Sequence, residues 1–542
     1  MAAAWKKGLG LALILILAAV LRTQHMRADP PALIPFLSGS AGIYFDEGIY
    51  CHNARNKILF GEWITDDWNP LVYNAPLTLI YYFGFKLFGV SIVTVKAINI
   101  IFGLLGILLF HACLRRYLEP GPSLALTALF AFDFYWLMYN RTGLLENYSA
   151  FCFLLCFYLF LRFEENLGSA FLLGFALAIA VLSKYLFVYF LISTLLSTIY
   201  KAWRFSKFRS SLMFLAGIFT AWLPWFLLIY LPFRSTFGRI AHGWEMLAFP
   251  VSIGRAWSNL LHNPLPRYIQ LMPVESFLLV LFFGWTLLKL VRSPGGGRGP
   301  KDVTVFIFLW IAGGISAMGI LNYRPLRYFL PLMPALYLAI SILIRDRDWI
   351  RSKKHLPWPL PILMAAMFFW LFRFIAAGHA AFMVFPLILR LLIFLSMAGI
   401  LMSILVPSKV GKTSVEAAVL VIMLGCSLYL YDTQFYRKPT YRLEEASRFM
   451  ETLPAGSVLM GQEAPRLGLE TRFKTFLAYN LWFNYKDTFR RFAPTHLLIL
   501  DKFGNAERDW IRRIYPQVIA SLRLVRRFRV WDSTVSLYQI PK

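Results

Sequence analysis

Roughly thirteen apolar runs of membrane-spanning length recur along the 542-residue chain, and they constrain its fold more than any other feature. The first run covers residues 9–21, and the later runs lie at about 92–112, 122–139, 147–162, 169–183, 185–200, 211–231, 273–290, 303–320, 329–344, 359–378, 380–405 and 414–431. Charged residues make up only 15% of the chain, whereas an ordinary soluble domain carries about 25%. The pattern predicts an all-α polytopic membrane protein with about 13 transmembrane helices, and it excludes a water-soluble enzyme with a single anchor.

The distribution of basic residues predicts how these helices are oriented. With the N-terminus in the cytoplasm, the cytoplasmic loops carry most of the Lys and Arg residues, including Arg115, Arg116, Arg162 and the segments 201–209, 292–301 and 345–354. The opposite short loops hold only Arg141, Lys184, Arg324 and Arg327, as the positive-inside rule requires. The net charge of +27 therefore reflects membrane topology, and we expect no nucleic-acid partner because no basic stripe interleaves with aromatic residues.

Two long loops and the C-terminal tail fall on the outer side in this topology. They are residues 22–91, 232–272 and 432–542. The tail has a helical pattern at residues 443–453 and strand-like patterns at 457–461, 496–500 and 534–540. We therefore expect a transmembrane domain over residues 1–431 and a small soluble α/β extracytoplasmic domain over residues 432–542.

Acidic residues are scarce, and several of them meet basic residues at the outer ends of the apolar runs. The candidates are Asp46, Glu47, Arg141, Glu146, Lys184 and Arg327. A carboxylate placed among cations can take a proton from an acceptor hydroxyl while Arg and Lys hold the phosphate of a lipid-linked donor. The alternative is that these residues only cap helix ends and bind lipid headgroups.

Four stretches follow one another in an order and spacing that resemble one group of enzymes. The first runs from Asp46-Glu-Gly-Ile-Tyr through Ala54-Arg55 to Lys86-Leu-Phe-Gly89, and the others are residues 141–146, Leu182-Ser-Lys184 and Arg327-Tyr328-Phe-Leu-Pro331 followed by Pro334. Together they resemble the GT-C membrane glycosyltransferases that use polyprenyl-phosphate sugars. The most similar branches are the lipid A aminoarabinose transferases and the protein O-mannosyltransferases, and the resemblance extends over residues 1 to about 435.

The resemblance implies a GT-C fold and a role for each matching residue. Asp46 would be the catalytic base with Glu47 beside it, and the donor would be a polyprenyl-phosphate sugar embedded in the membrane lipid. Substrate binding would fall to Arg55, Arg141, Glu146, Lys184, Arg327 and Tyr328, of which the three outer-loop cations Arg141, Lys184 and Arg327 would contact the phosphate. Inversion at the anomeric carbon is also what the resemblance implies.

The chain departs from the aminoarabinose transferases at two places. Those enzymes have a Glu-Lys-Pro-Pro run where this chain has Tyr73-Asn74-Ala75-Pro76, and an Arg where Ile49 stands here. Two expected contacts to phosphate or metal are therefore missing, which argues against a plain aminoarabinose transferase and leaves the donor sugar open.

A divalent metal ion is a further candidate ligand. His242 and Glu245 are three residues apart in the second long outer loop, with His262 later in that loop and His52 in the first one. His and Glu at this spacing on a helix can bind zinc, but such residues also populate membrane interfaces because they are amphipathic. Within the apolar runs, Asp133 is either functional or paired with one of Lys96, Arg373 and Arg390.

These observations predict a glycosyltransferase that moves a sugar to a hydroxyl of a lipid, a glycan or a protein on the outer face. A bacterial inner membrane is expected because nothing resembles the lumenal β-trefoil domain of eukaryotic protein O-mannosyltransferases. The alternatives are a protein O-mannosyltransferase, and a transporter or flippase of lipid-linked sugars. Transporters tend to have internal repeats and charges at the membrane midplane, whereas this chain has no visible repeat and most of its candidate charges lie at one surface.

Overall fold

The computed structural model describes residues 2–30, 46–184, 187–250, 252–261, 272–292, 301–323, 325–346, 386–405, 412–478, 483–484, 487–500, 509, 511–530 and 533–541. Helices dominate the described chain up to residue 451, and a small sheet follows.

The helices of the first half include several short ones between the first two long ones. They are α1 (Ala2–Thr23), α2 (Asp46–Tyr50), α3 (His52–Phe60), α4 (Pro70–Tyr73), α5 (Ala75–Phe88), α6 (Ile92–Leu114), α7 (Pro120–Phe132), α8 (Phe134–Asn140), α9 (Leu145–Leu161), α10 (Leu167–Ser183), α11 (Val188–Arg204), α12 (Phe208–Trp225), α13 (Arg234–Ala248) and α14 (Ile253–Leu261). A π-helical turn, Phe226–Tyr230, extends α12.

The second half of the membrane region continues with longer helices. They are α15 (Pro273–Arg292), α16 (Lys301–Ile320), α17 (Met333–Arg345), α18 (Leu387–Leu405) and α19 (Lys412–Tyr431). A 3-10 helix, Leu326–Leu332, precedes α17, and a π-helical turn, Asp432–Tyr436, follows α19.

The long helices make the chain an integral membrane protein. By length and apolar composition, five described stretches can cross a membrane, or six if the bent pair α7 and α8 is one span. Apolar runs coincide with helices wherever the structure describes them, whereas 359–378 and the start of 380–405 lie outside the described residues. The total of about thirteen spans stays a prediction.

The predicted run 122–139 is two helices rather than one straight helix. Helices α7 and α8 meet at Asp133 with a bend of 56°. The Asp133 carboxylate accepts the backbone N–H of Trp136 at 2.9 Å and the hydroxyl of Tyr337 at 3.0 Å, so it caps α8. Lys96, one of the partners expected for Asp133, instead donates to the Ala28 carbonyl and lies 3.9 Å from Glu47.

Charged contacts at both ends of the bundle show which helix ends lie together. At one end, Lys201 contacts Glu164 at 3.2 Å and Asp302 at 3.4 Å, which joins the end of α11 to the residues after α9 and to the start of α16. At the other end, Arg141 after α8 donates to the Leu21 carbonyl of α1. The short helices α2 and α3 and the C-terminal part of the chain also meet at this second end, where Arg55 of α3 donates to the Leu469 carbonyl.

The C-terminal sheet has five strands in the order β2-β1-β3-β5-β4. The chain passes through α20 (Arg442–Glu451), β1 (Val458–Gly461), α21 (Ala464–Leu467), β2 (Lys474–Phe476), α22 (Thr488–Phe492), β3 (His496–Leu500), α23 (Pro516–Ser521), β4 (Arg523–Val530) and β5 (Ser533–Gln539). Strands β1, β2 and β3 are parallel, and β5 is antiparallel to both β3 and β4.

The predicted helix and three predicted strands of this region are confirmed. Strands β2 and β4 were not predicted, because β2 has three residues and β4 is rich in arginine rather than alternating in hydrophobicity. Helix α20 packs on the sheet through Phe449 and Phe528, whose ring centroids are 5.4 Å apart. The division of the chain into two domains at residue 431 stays a prediction, since the two parts make extensive contact.

Candidate active site

Four charged side chains meet in a buried cluster at the end of the bundle that faces the sheet. Arg327 contacts Asp46 at 3.0 Å (Nη2 to Oδ2) and Glu146 at 3.5 Å (Nε to Oε1). Lys184 contacts the same Glu146 oxygen at 2.6 Å. All four side chains are at most 7% exposed, so their interactions are only weakly screened by water. We call Asp46, Glu146, Lys184 and Arg327 the charged cluster.

Each member of the charged cluster stands where a helix begins or ends. Asp46 opens α2, Glu146 lies in the first turn of α9, and Lys184 follows the last residue of α10 in an extended conformation. Arg327 is the second residue of the 3-10 helix, which follows Pro325 and contains Pro331. Proline favours such a tight start because its φ angle is already fixed. The four charged residues therefore come together because the helix ends that carry them lie side by side.

Aromatic rings form one wall of the charged cluster. The Lys184 ammonium lies 3.8 Å from the ring centroid of Tyr328, which is close enough for a cation–π interaction. Arg327 donates to the hydroxyl of Tyr323 at 3.3 Å. Among the described residues, the buried hydroxyls of Tyr328 and Tyr139 have no hydrogen-bond partner. Buried polar atoms are normally paired, so these two hydroxyls are available to a ligand.

Burial sets the basicity of Asp46. It raises the pKa of this carboxyl to about 6, and the charge of Glu146 raises it further, while Arg327, Lys184 and a hydrogen bond with Tyr50 oppose the increase. A carboxylate with this pKa is still ionised at neutral pH but accepts a proton more readily than an exposed one. The arrangement suits a general base.

Glu47 points away from the charged cluster into a second set of contacts. Its carboxylate accepts the backbone N–H of Gly143 at 3.0 Å and Nε of Arg466 at 3.1 Å, and lies 3.9 Å from Lys96. The Glu47 side chain is fully buried. The two adjacent acids therefore have different surroundings, Asp46 in the charged cluster and Glu47 against the C-terminal part of the chain.

Two of the predicted substrate-binding arginines are placed apart from the charged cluster. Arg55 is buried, and its guanidinium donates at 2.8 Å to four carbonyls of the C-terminal segment, those of Gly468, Leu469, Thr471 and Phe473. Arg141 donates to the carbonyls of Leu21, Gln24 and His25 at the end of α1, and its guanidinium lies 4.0 Å from the ring centroid of Phe435. Both guanidinium groups therefore already have partners, which are backbone carbonyls for Arg55 and backbone carbonyls and the Phe435 ring for Arg141.

The proposed metal ligands do not assemble into a site within the described residues. His242 is exposed on α13, and the side chain of Glu245 and the whole of His262 lie outside what the structure describes. His52 is buried beside Asp66, with Nε2 to Oδ2 at 3.4 Å. No group of three His, Cys, Asp or Glu side chains close enough to hold a metal occurs in the described part of the chain.

Two residues near the charged cluster were missed by the sequence analysis. Arg466 contacts Glu47, and Glu463 lies close enough to Asp46 to feel its charge. Burial raises the pKa of Glu463 to about 8, and neither of its carboxylate oxygens has a hydrogen-bond partner among the described residues. Both residues follow β1, a strand that was predicted. Polar residues just after the carboxyl end of a buried strand were therefore the signal available in the sequence.

An apolar cleft lies next to the charged cluster. It is small and partly open, and it is lined by Tyr135, Tyr139, Met272, Leu326, Phe329, Leu330 and Met333. Leu326 directly precedes Arg327, and Tyr139 carries one of the unpartnered hydroxyls. Apolar side chains therefore directly adjoin the charged cluster.

Comparison with known proteins is consistent with the expected fold. Residues 75–236, under a third of the chain, match the family described as dolichyl-phosphate-mannose-protein mannosyltransferase. This matched segment contains Glu146 and Lys184 but neither Asp46 nor Arg327. No curated protein sequence matches the chain.

Two solved structures are similar to the chain over nearly all of its length. ArnT from Cupriavidus metallidurans, bound to undecaprenyl phosphate, has 16% identity and a TM-score of 0.59, with 99% of this chain and 98% of that chain covered. An oligosaccharyltransferase from Archaeoglobus fulgidus in its apo form has 11% identity and a TM-score of 0.50, with 92% and 71% covered. Both are GT-C proteins, so the expected GT-C fold is confirmed.

Proposed function

We propose that the chain is a polyprenyl-phosphate-dependent glycosyltransferase whose active site is the charged cluster. The observation that carries the proposal is the buried contact of Asp46 with Arg327, beside the Glu146–Lys184 pair. One carboxylate with a raised pKa and two cations in a dry site provide a base and a phosphate-binding surface. The similarity to ArnT, which was solved with undecaprenyl phosphate, supports a lipid-linked donor.

The donor would bind with its phosphate toward Arg327 and Lys184. Arg offers two parallel N–H donors that match phosphate oxygens, and Lys adds a compact positive charge. The first isoprene units would pass along the apolar side chains that begin at Leu326. The ring of Tyr328 lies against Lys184, and its unpartnered hydroxyl can donate a hydrogen bond to a phosphate oxygen.

Transfer would proceed by displacement at the anomeric carbon. An acceptor hydroxyl oxygen forms a bond to that carbon while the bond between the carbon and the phosphate oxygen breaks. The polyprenyl phosphate leaves with the electron pair, and the acceptor proton passes to the Asp46 carboxylate. Arg327 and Lys184 stabilise the growing charge on the phosphate, which is commonly the largest contribution to rate. The sugar configuration would be inverted.

The remaining features of the proposal follow from topology. The charged cluster and the C-terminal sheet would face the periplasm of a bacterial inner membrane, because the basic loops lie at the opposite end. Residues 432–542 would form a unit that contributes Glu463 and Arg466 to the site. The proposed steps are written without a metal ion.

The test is to follow release of free polyprenyl phosphate by purified protein in nanodiscs. Radiolabelled undecaprenyl-phosphate sugars are supplied together with a crude lipid and protein extract. We expect release by the wild type and a loss of at least about 10³-fold in Asp46→Asn, because a base is removed from the reacting hydroxyl. Asp432→Asn is the matched control, since Asp432 contacts Arg437 outside the charged cluster.

Two results would contradict the proposal. One is release that is equal in wild type and Asp46→Asn. The other is no release from any donor by protein that is folded, which would favour the hypothesis of a transporter or flippase. The labelled product identifies the acceptor as a lipid, a glycan or a protein, so the same experiment separates a protein O-mannosyltransferase from the other classes.

A further inference from the structure

Helix α2, which carries Asp46, is held on one side by the C-terminal part of the chain. Glu47 and Arg466 form a buried ion pair at 3.1 Å, with side chains 0% and 3% exposed. The second Glu47 oxygen accepts the Gly143 backbone N–H. Removing Arg466 would leave the more distant Lys96, at 3.9 Å, as the remaining cation near Glu47 among the described residues, so the Arg466 pair strongly constrains where Glu47 lies.

The backbone of α2 touches the same segment. Gly48 lies against the backbone of Pro465 and Arg466 so closely that a Cβ atom would have no room. Glycine is required here because the two backbones approach each other directly. The peptide that follows the catalytic acid is therefore packed against the residues that pair with Glu47.

A third attachment follows in the next helix. Arg55 of α3 donates to the carbonyls of Gly468, Leu469 and Thr471, each at 2.8 Å. These carbonyls belong to residues that directly follow α21. Glu47, Gly48 and Arg55 are thus all held against one continuous segment, residues 463–473, which we call the brace.

We propose that the brace positions the catalytic base, with Arg466 acting through Glu47 as the positioning residue. This inference rests on the proposed function of Asp46. Asp46 and Glu47 share a peptide bond, so fixing the Glu47 carboxylate between Arg466 and Gly143 fixes the direction in which Asp46 points toward Arg327. Glu47 is then a positioning residue and not a second catalytic acid, and the C-terminal segment is an integral part of the catalytic unit.

The kinetic test compares Arg466→Gln, Glu47→Gln and the double variant. A displacement of about 1 Å in a catalytic group costs on the order of 10²-fold in rate. We expect each single variant to lower kcat by about 10- to 100-fold while KM for the donor changes little, because neither residue touches it. The double variant should be no slower than the slower single variant, since both changes break the same contact.

Two companion variants make the kinetic result specific. Arg472→Gln removes the same charge from an exposed arginine of the brace and should leave kcat unchanged. Arg466→Lys keeps a cation that can reach Glu47 and should retain most of kcat. An unchanged kcat in Arg466→Gln, a raised KM with unchanged kcat, or multiplicative losses in the double variant would each overturn the proposal.

Hydrogen exchange tests the brace without relying on activity. In Arg466→Gln, the amides of residues 46–55 should exchange faster than in the wild type, whereas Arg472→Gln should leave them unchanged. Unchanged exchange in Arg466→Gln overturns the brace whatever the enzyme does. If Asp46→Asn turns over normally while the exchange result holds, the proposed function fails and the brace remains as a structural fact about α2.

Discussion

The ionisation of Asp46 should determine how the activity depends on pH. Burial raises its pKa to about 6, compared with about 3.9 for an exposed aspartate. Because the base must be deprotonated, activity is present above this pKa and lost below it. At pH 5 about one tenth of the molecules would carry an ionised Asp46, so kcat/KM should fall about tenfold for each pH unit below 6.

The fall of kcat/KM at low pH is the acid limb of the pH profile. Two variants should move this limb in opposite directions. Glu146→Gln removes a negative charge that raises the pKa of Asp46 and also releases Arg327, so the limb should move to lower pH. Tyr50→Phe removes a hydrogen bond that lowers the pKa of Asp46, so the limb should move to higher pH. A hydrogen bond to a charged group contributes about 1.5 kcal/mol, which corresponds to a displacement of about one pH unit.

The assay is the initial rate of polyprenyl phosphate release at donor concentrations below KM, from about pH 4.5 to about pH 8. Thermal melting at each pH confirms that the protein stays folded, so a fall in rate is not a fall in folded protein. A wild-type limb near pH 4, or displacement of both variants in the same direction, would refute the assignment of Asp46 as the titrating base.

The remaining predictions concern stability and ligand contact. Arg55→Met should destabilise the protein by several kcal/mol, because up to four carbonyls lose their donor at about 1–3 kcal/mol each, and a thermal melt should record the loss. Gly48→Ala should lower the melting temperature because its Cβ would collide with the backbone of Arg466; an unchanged melting temperature would contradict the close approach. Tyr328→Phe should leave the melting temperature unchanged but raise KM for the donor by about tenfold, as measured by steady-state kinetics, since the lost hydroxyl has no partner in the described residues.

The convergence of Asp46, Glu146, Lys184 and Arg327 could be predicted because of where each residue lies in the sequence. Glu146 and Lys184 flank predicted membrane-spanning runs, and Arg327 lies just before one. Once the runs are assigned an alternating orientation, their like-sided ends must meet at one surface. The alternating orientation of the helices therefore predicts which charged residues lie on the same side of the membrane. The resemblance to a known family added the order of the motifs and the role of the base.

The partners of the other arginines could not be predicted in this way. Arg55 and Arg141 have the same charge and the same side of the membrane as Arg327, but they bind backbone carbonyls. The partner of each arginine is set by contacts between residues that are far apart in the sequence. The separation is more than 400 residues for Arg55 and more than 100 for Arg141. Composition and spacing carry no record of such contacts, since the C-terminal segment shows no periodic pattern that specifies where it docks.

The charge balance of the cluster also indicates how donor binding would activate the base. In the free protein, the two carboxylates of Asp46 and Glu146 balance the two cations, so the cluster is neutral. A singly charged phosphodiester entering this buried site adds a negative charge, which is unfavourable unless the cations turn toward it. Arg327 is the strongest influence that lowers the pKa of Asp46. As Arg327 turns to the phosphate, Asp46 loses that influence and becomes a stronger base. In the proposed mechanism, the Asp46–Arg327 ion pair would therefore keep Asp46 less basic until the donor is in place.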